Sequence, residues 1–393
     1  MAFEPNPPRA ARPTPGRPAP FPPAEAGRDL HDPTEPASWP AVVIGGGVSG
    51  LTVARLLARS GAQVLLLERG SRLGGKILTR PLAGLPLEAG PDGFLDRPQA
   101  IALCRELGLE PELVETLTTR AFRWEGAGLR PLGAEPGRPG AGSPPPRLLS
   151  LRRGLRRLVE RLEEDLDGRS PEVQVRLGAA VERVERAGAA LRLRLGSGAT
   201  IETGAAVIAT PAPEAARLVA SIAPEAAAQL ARIPYLALAV VNLVYPGRPW
   251  PLEGSGFLVA EEDRRLISGC TWLSSKWPHL RSPGRTAVRA TVGGSGRREW
   301  MRLDDSALVA RVHRELVLAL GPAPPPELTQ VTRWRGAVPD PRCLDPGCAD
   351  RAQAALPPDL ALAAGGYRGG GISSCIATAA EAAGRVRARL GAG

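Results

Sequence analysis

The stretch that most constrains this chain is Ala41-Val42-Val43-Ile44-Gly45-Gly46-Gly47-Val48-Ser49-Gly50. Four consecutive apolar residues read as a strand buried on both faces, the habit of parallel sheets. The chain must then turn through three glycines into an apolar-periodic helix from Leu51 to Ser60, and a second strand follows from Gln63 to Leu67. This βαβ opening predicts an α/β fold. Gly45, Gly47 and Gly50 fill the GxGxxG positions: the first turns the chain, the second admits backbone close to a pyrophosphate, and the third lets the helix pack tightly. Gly46, Val48 and Ser49 complete a loop whose free N–H groups and helix dipole favour a phosphate anion. Glu68 ends the second strand where a carboxylate accepts from ribose hydroxyls, with Arg69 beside it. Together these residues predict a dinucleotide site.

Two further glycine turns decide which dinucleotide is expected. Arg72-Leu73-Gly74-Gly75-Lys76 follows the ribose acid directly, and Leu87-Glu88-Ala89-Gly90-Pro91-Asp92-Gly93-Phe94 follows soon after. FAD is long and needs added close backbone approaches toward its flavin end, whereas NAD domains do not.

The rest of the chain limits the setting. At roughly 100–200 residues per domain, 393 residues predict two domains. Residues 1–40 hold 12 prolines and little apolar periodicity, so they are expected to be a disordered tail. No apolar run approaches ~18 residues and no leader pattern is present, so a cytoplasmic protein is expected. Five scattered cysteines, Cys343 and Cys348 among them, predict reduced thiols, not a disulfide framework or metal site. The net charge of +10 rests on arginine: Lys76 and Lys276 are the only lysines among 50 basic residues. That reads as compositional bias and predicts no nucleic-acid partner. The run Arg152-Arg153-Gly154-Leu155-Arg156-Arg157 reads as a solvated helix face, with peripheral contact to an acidic lipid surface as the alternative. His31, His279 and His313 are the only histidines and none has metal-ligand spacing; a packing role is expected for His279 and a surface position for His313.

The run from Val42 to Phe94 resembles the FAD-dependent amine-oxidase superfamily. Gly254 to Val259, the block Cys270-Thr271-Trp272-Leu273-Ser274-Ser275-Lys276-Trp277-Pro278-His279, Val288 to Gly294, Arg333-Trp334 and Tyr367 to Ile376 narrow the resemblance to the HemY-type porphyrinogen oxidases. It implies a Rossmann-like FAD-binding domain (41–95, 148–232 and 350–390) and a second, α+β substrate domain (96–133 and 233–349). It places the flavin beside Lys76, Gly90, Pro91, Asp92 and Gly93, the adenine beside Val181, and the flavin ring beside Gly365, Gly370, Gly371 and Ile372. It implies a tetrapyrrole substrate, protoporphyrinogen or coproporphyrinogen, and oxygen as acceptor, in haem biosynthesis. The substrate's carboxylates would need cations, and Arg97, Arg120 and Arg123 are the candidates. The cofactor supplies the hard step, so no side-chain catalyst is expected. A Gly/Pro linker at 134–147 stands where the family carries a long helical segment, so the helical part of the substrate domain is reduced. That departure keeps open a FAD-binding protein inactive on its own, or an oxidase of another substrate such as an amine or polyene.

Overall fold

The computed structural model describes residues 38–132, 147–168, 172–294, 296–345, 347–363, 365–368 and 370–391. The predicted tail up to residue 37 and residues 133–146 of the predicted linker region lie outside them. The first strand, β1, spans Ser38–Ile44, so Ser38 to Pro40 belong to the sheet and not to the tail. Ser38 and Trp39 pair with Glu202 and Thr203, and Trp39 is buried, which holds the strand's start in place.

Helix α1 spans Val48–Arg59, a turn earlier than the apolar period predicts, because the glycine loop itself supplies its first residues. Strand β2, Val64–Leu67, then pairs with β1 in parallel. Val173–Arg176 extends the sheet in parallel beyond β2; Thr200–Ile208 lies parallel to β1 on its other side, and Leu360–Leu362 pairs parallel with Ile208 and its neighbours. Val181–Ala187 and Ala190–Leu195 add an antiparallel meander to Thr200–Ile208.

Alternate residues of this sheet face two cores, as the period of two requires. Ala41, Val43, Val64 and Leu66 meet α1 and the helices Arg156–Asp167 and Ile372–Gly391. Val42, Ile44, Leu65 and Leu67 meet the helices Ala212–Val219, Pro224–Ala231 and Cys348–Ala354. Its parallel strands are covered on both faces, which their uninterrupted apolar runs demand, while the meander alternates and leaves one face to solvent.

A second seven-stranded sheet runs in the order Leu328–Pro339, Tyr235–Pro246, Arg285–Gly293, Ile267–Thr271, Gly256–Val259, Ala121–Glu125 and Gly128–Pro131. Its pairs are antiparallel save Gly256–Val259 against Ala121–Glu125. One face carries Val241, Leu243, Tyr245, Val288 and Ala290 under the helix Asp305–Leu320. The other face turns toward the nucleotide half, where Trp334 Nε1 donates to the Ala89 carbonyl at 2.7 Å and Asn242 Nδ2 to the Glu88 carbonyl at 3.1 Å.

Several expectations meet the structure here, and not all of them change. His313 is half-buried and not simply on the surface: its Nδ1 lies 3.0 Å from the Tyr245 hydroxyl, because helix Asp305–Leu320 turns that side toward the sheet. Cys348 is buried with its Sγ 2.9 Å from the Gln229 carbonyl, Cys343 is exposed, and both are free. The basic run is largely neutralised: Arg153 pairs with Glu112 at 2.7 Å, Arg156 with Glu163 at 3.0 Å and Arg157 with Glu160 at 2.5 Å. That leaves little free charge for a lipid surface. No helix among the described residues is long and apolar enough to cross a membrane.

Arg55 is the one charged side chain among the largest fully buried ones, and it joins three helices: its guanidinium reaches Glu106 at 2.7 Å and Asp165 at 3.2 Å. Both carboxylates retain solvent contact while Arg55 does not. Stranding a buried charge costs more than replacing it with an apolar side chain of similar volume. Glu106→Gln combined with Asp165→Asn is therefore expected to cost about 3 kcal/mol in urea unfolding, and Arg55→Met clearly less.

Candidate functional site

Helix α1 begins buried, with no side-chain cap on its first N–H groups and no carboxylate in its first turn. A buried helix start needs a partner for those donors, and an anion is the natural one. The loop leaves room for it. A Cβ on Gly50 would collide with the Gly45 carbonyl oxygen, which fixes the tight turn, while a Cβ on Gly47 would meet nothing within 4 Å. Gly45 has φ +110°, a conformation costly for any other residue.

Glu68 lies at the end of β2, and its carboxylate accepts from the backbone N–H of Gly46 and of Gly70, both at 2.7 Å. It ties the loop to the strand end and keeps lone pairs for a hydroxyl. Next to it, Glu68 and Gly70 carbonyls accept from Ala179 and Gly178, which brings Val181 to the same end of the sheet. The Val181 carbonyl accepts from Arg217 at 3.1 Å. Arg69 points away, exposed, into an ion pair with Glu214 at 3.0 Å.

The second turn packs directly on the first. Gly74 N–H donates to the Gly46 carbonyl at 2.8 Å, and Gly74 and Gly47 form a parallel bridge. Arg72 holds the turn by donating to the carbonyls of Leu73, Gly75 and Ile77. Lys76 is then half-buried over the ring of Tyr235, 5.0 Å from its centroid, and its partial desolvation lowers its pKa to about 8. Among the described residues it has no ion pair. A desolvated ammonium without a counter-ion fits an anionic ligand.

The third turn touches the second: a Cβ on Gly90 would collide with the Lys76 carbonyl oxygen. Asp92 is clamped from the second sheet's side. Its carboxylate accepts from Lys276 Nζ at 2.8 Å and Trp277 Nε1 at 3.3 Å, and Arg289 Nη1 lies 3.8 Å away. These cations outweigh the burial that would favour its neutral form and hold the carboxyl well below the usual range. A Cβ on Gly93 would come within 3.1 Å of the Trp277 ring. Pro91 completes this turn. The chain's end closes the group: Gly370 N–H donates to the Gly365 carbonyl at 2.8 Å, and Gly370 and Gly371 take φ of +76° and +90° before the helix starts at Ile372. Nothing lies within 4 Å of where their Cβ atoms would be. Ser373 Oγ donates to the Leu95 carbonyl, which ties that helix start to the third turn.

The predicted substrate cations are not brought together. Arg97 is exposed two residues beyond Leu95, close to that helix start. Arg123 is exposed and pairs with Glu125 at 3.2 Å. Arg120 stacks on Phe122, 5.1 Å from its centroid, in a cleft of about 290 Å³ shared with Trp250 and Trp272 on the helix-covered side of the second sheet. Strand alternation sends Phe122 and Arg123 to opposite faces, so Arg120 and Arg123 serve different surfaces.

Lys276, Trp277, Arg289, Glu88 and Tyr235 are the members that sequence reasoning missed. Lys276 alone carried a signal, as one of two lysines kept in an arginine-rich chain. His279, beside the Trp277 ring at 5.8 Å, is kept neutral: burial, then Arg152, lower its pKa to about 4.

The buried start of α1, the open loop at Gly47, the unpaired Lys76 and the contiguous glycine turns fit an extended dinucleotide such as FAD. The model of the flavin containing amine oxidoreductases matches residues 139–387, and that of the NAD(P)-binding Rossmann-like domain matches residues 43–107. A coproporphyrinogen III oxidase of Mycobacterium bovis is 29% identical over 86% of this chain and 95% of its own length. That alignment runs over 437 positions, so roughly 100 of them are filled by the relative alone. The Bacillus subtilis coproporphyrinogen III oxidase is 28% identical over 58% of this chain and 48% of its own length. A solved Exiguobacterium protein provisionally named a protoporphyrinogen oxidase superposes with a TM-score of 0.76 at 22% identity, covering 90% of this chain and 99% of that one.

Burial drives the Glu88 carboxyl, at the foot of the third turn, up to about 7, against the pull of the Leu155 N–H and Thr79 hydroxyl bonded to it. The folded protein thus keeps a proton that the unfolded chain releases near the ordinary 4.5. The stabilisation is full below that lower value and is lost as pH rises toward 7, amounting to about 3 kcal/mol. Wild type should lose this much more stability than Glu88→Gln between those pH values, measured by urea unfolding.

Proposed function

We propose that this chain, which belongs to the flavin containing amine oxidoreductases and takes FAD as its cofactor, oxidises a porphyrinogen to the porphyrin with oxygen as acceptor. FAD, when bound, supplies the two-electron acceptor, and three rounds remove the six electrons and six protons that separate porphyrinogen from porphyrin. Three molecules of oxygen take them up as hydrogen peroxide.

One observation carries the reading. The block Trp272 to His279, the segment most particular to the porphyrinogen oxidases, supplies Lys276 and Trp277, and both hold Asp92 in the turn assigned to the flavin. The block therefore connects the sheet that would hold the substrate to the turn that would hold the cofactor. Coproporphyrinogen is the favoured substrate, since the curated relatives matched over most of this chain carry that name.

The protein's own share is binding and orientation. Gly45 to Gly50 would hold the pyrophosphate, Glu68 the ribose and Val181 the adenine. Lys76, Gly90 to Gly93, Gly365 and Gly370 to Ile372 would hold the flavin. Arg97, beside the last helix start, is the first candidate for a substrate carboxylate. Arg123 is a second: it lies on the sheet face of Leu258 and Thr291, about 14 Å from Thr291 across three strand spacings. Arg120, on the opposite face, drops out.

The purified chain reconstituted with FAD and given coproporphyrinogen or protoporphyrinogen in air should develop porphyrin fluorescence above the spontaneous rate with at least one. No gain with either would reject the proposal. A holoprotein that binds FAD yet stays inactive until a partner is added would favour the second reading, which the roughly 100 positions that the M. bovis relative fills alone support. Arg97→Ala is expected to raise KM about tenfold with kcat within about twofold, the pattern of a contact equal in ground and transition states.

A further inference from the structure

The clamp on Asp92 is unequal in charge: one carboxylate faces two cations, Lys276 and Arg289. Lys276 makes the short contact. Arg289 stays farther off, its side chain 12% exposed, and its Nε and Nη1 are buried with no hydrogen-bond partner. Its cross-strand neighbour Asn242 leaves Oδ1 unpaired, and on the next strand Gln330 leaves Oε1 unpaired on the same rung. Burying a guanidinium with idle donors is costly, and an apolar side chain would fill this place at no such cost. Glu88 is the other carboxylate close to Arg289, but its oxygens are engaged by the Leu155 N–H and the Thr79 hydroxyl, and burial favours its neutral form. With Glu88 only partly ionised near neutral pH, positive charge outweighs negative at the base of the Gly90–Gly93 turn. The idle atoms of Arg289 are out of reach of solvent, so it acts through its field, which burial leaves weakly screened.

We infer that Arg289 is a positioning residue of an electrostatic kind: a fixed buried cation that favours the negative charge gained by the flavin on reduction and thereby raises its reduction potential. The inference rests on the reading above that the Gly90–Gly93 turn faces the flavin. The cost of the idle donors is then the counterpart of a functional field.

The test uses the FAD-loaded protein, the two-electron midpoint potential followed by flavin absorbance, and the affinity of the bound flavin for sulfite, an anion that adds to electron-poor flavins. Arg289→Gln should make flavin reduction about tenfold less favourable, about 30 mV for a two-electron couple. Sulfite should bind about tenfold more weakly. Arg289→Lys, which keeps the charge, should restore most of both. Asp92→Asn, which removes the opposing charge, should shift both the other way, a reversal that mere loss of packing would not give. A wild-type potential and sulfite affinity in FAD-loaded Arg289→Gln would overturn the inference. If that variant does not fold, the sign from Asp92→Asn decides: an upward shift supports it, and none overturns it. A wild-type chain that binds no FAD would instead reject the site reading beneath it.

Discussion

Everything in this molecule hangs on backbone meeting backbone at three glycine turns. Gly50 lies against the Gly45 carbonyl, Gly74 hydrogen-bonds across to Gly46, and Gly90 lies against the Lys76 carbonyl. A methyl group at Gly50 or Gly90 would push the contact apart. The three turns come from distinct parts of the first ninety-odd residues, yet they form one continuous line of peptide groups. Such a line has few side chains of its own, so it can bind a long ligand only if heavier elements hold it from both sides. The doubly covered parallel sheet does so from below. From the other side come Trp334, Asn242, Lys276 and Trp277 of the second sheet and its connections. The second sheet thus braces the glycine turns through side chains of its own.

The arginine bias of the composition makes the two lysines informative. Arg offers a planar fork suited to carbonyls and carboxylates at the surface, and most arginines here are used so. A compact ammonium fits where a fork would not. Lys276 is buried and makes a single 2.8 Å contact with Asp92, while Lys76 lies in the gap between the second turn and the Tyr235 ring. Lys276 is the more enclosed of the two, and both adjoin the glycine line.

The βαβ opening was readable because its signals are local: strand, loop, helix and acid fall within 27 residues, from Val42 to Glu68. The resemblance extended that reading to the later turns. Contacts between turns were not readable, since Gly74 and Gly46 are neighbours only once the loop closes. The partners of Asp92 lie 184 and 185 residues away in Lys276 and Trp277, and no spacing rule relates them. Other features had signals in the sequence that went unused. Glu160 and Glu163 stand one and two turns beyond Arg156, so the neutralised charge of the basic run could have been read from helix geometry. Alternation along Ala121–Glu125 could likewise have set Arg120 apart from Arg123 once Phe122 and Trp124 were taken as core.

The two sheets differ in how far this chain covers them, and that difference bears on catalysis. Helices close both faces of the first sheet's parallel strands, while its antiparallel meander keeps one charged face in solvent. On the second, the face carrying Arg289, Thr291 and Val240 meets the cofactor half at one end but ends in open surface at the other, where Leu258 is 60% exposed and Arg123 is free of any cover. A macrocycle held there would keep one side in water, and an apolar ring gains affinity roughly in proportion to the area it loses to solvent. Binding by carboxylate contacts alone would still orient the substrate, because charged pairs fix direction more than they add affinity in water. On the proposed reading, a substrate held at this open end would lose binding more than chemical rate, since Lys76, Asp92 and Arg289, the groups proposed to position and polarise the cofactor, all lie at the covered end.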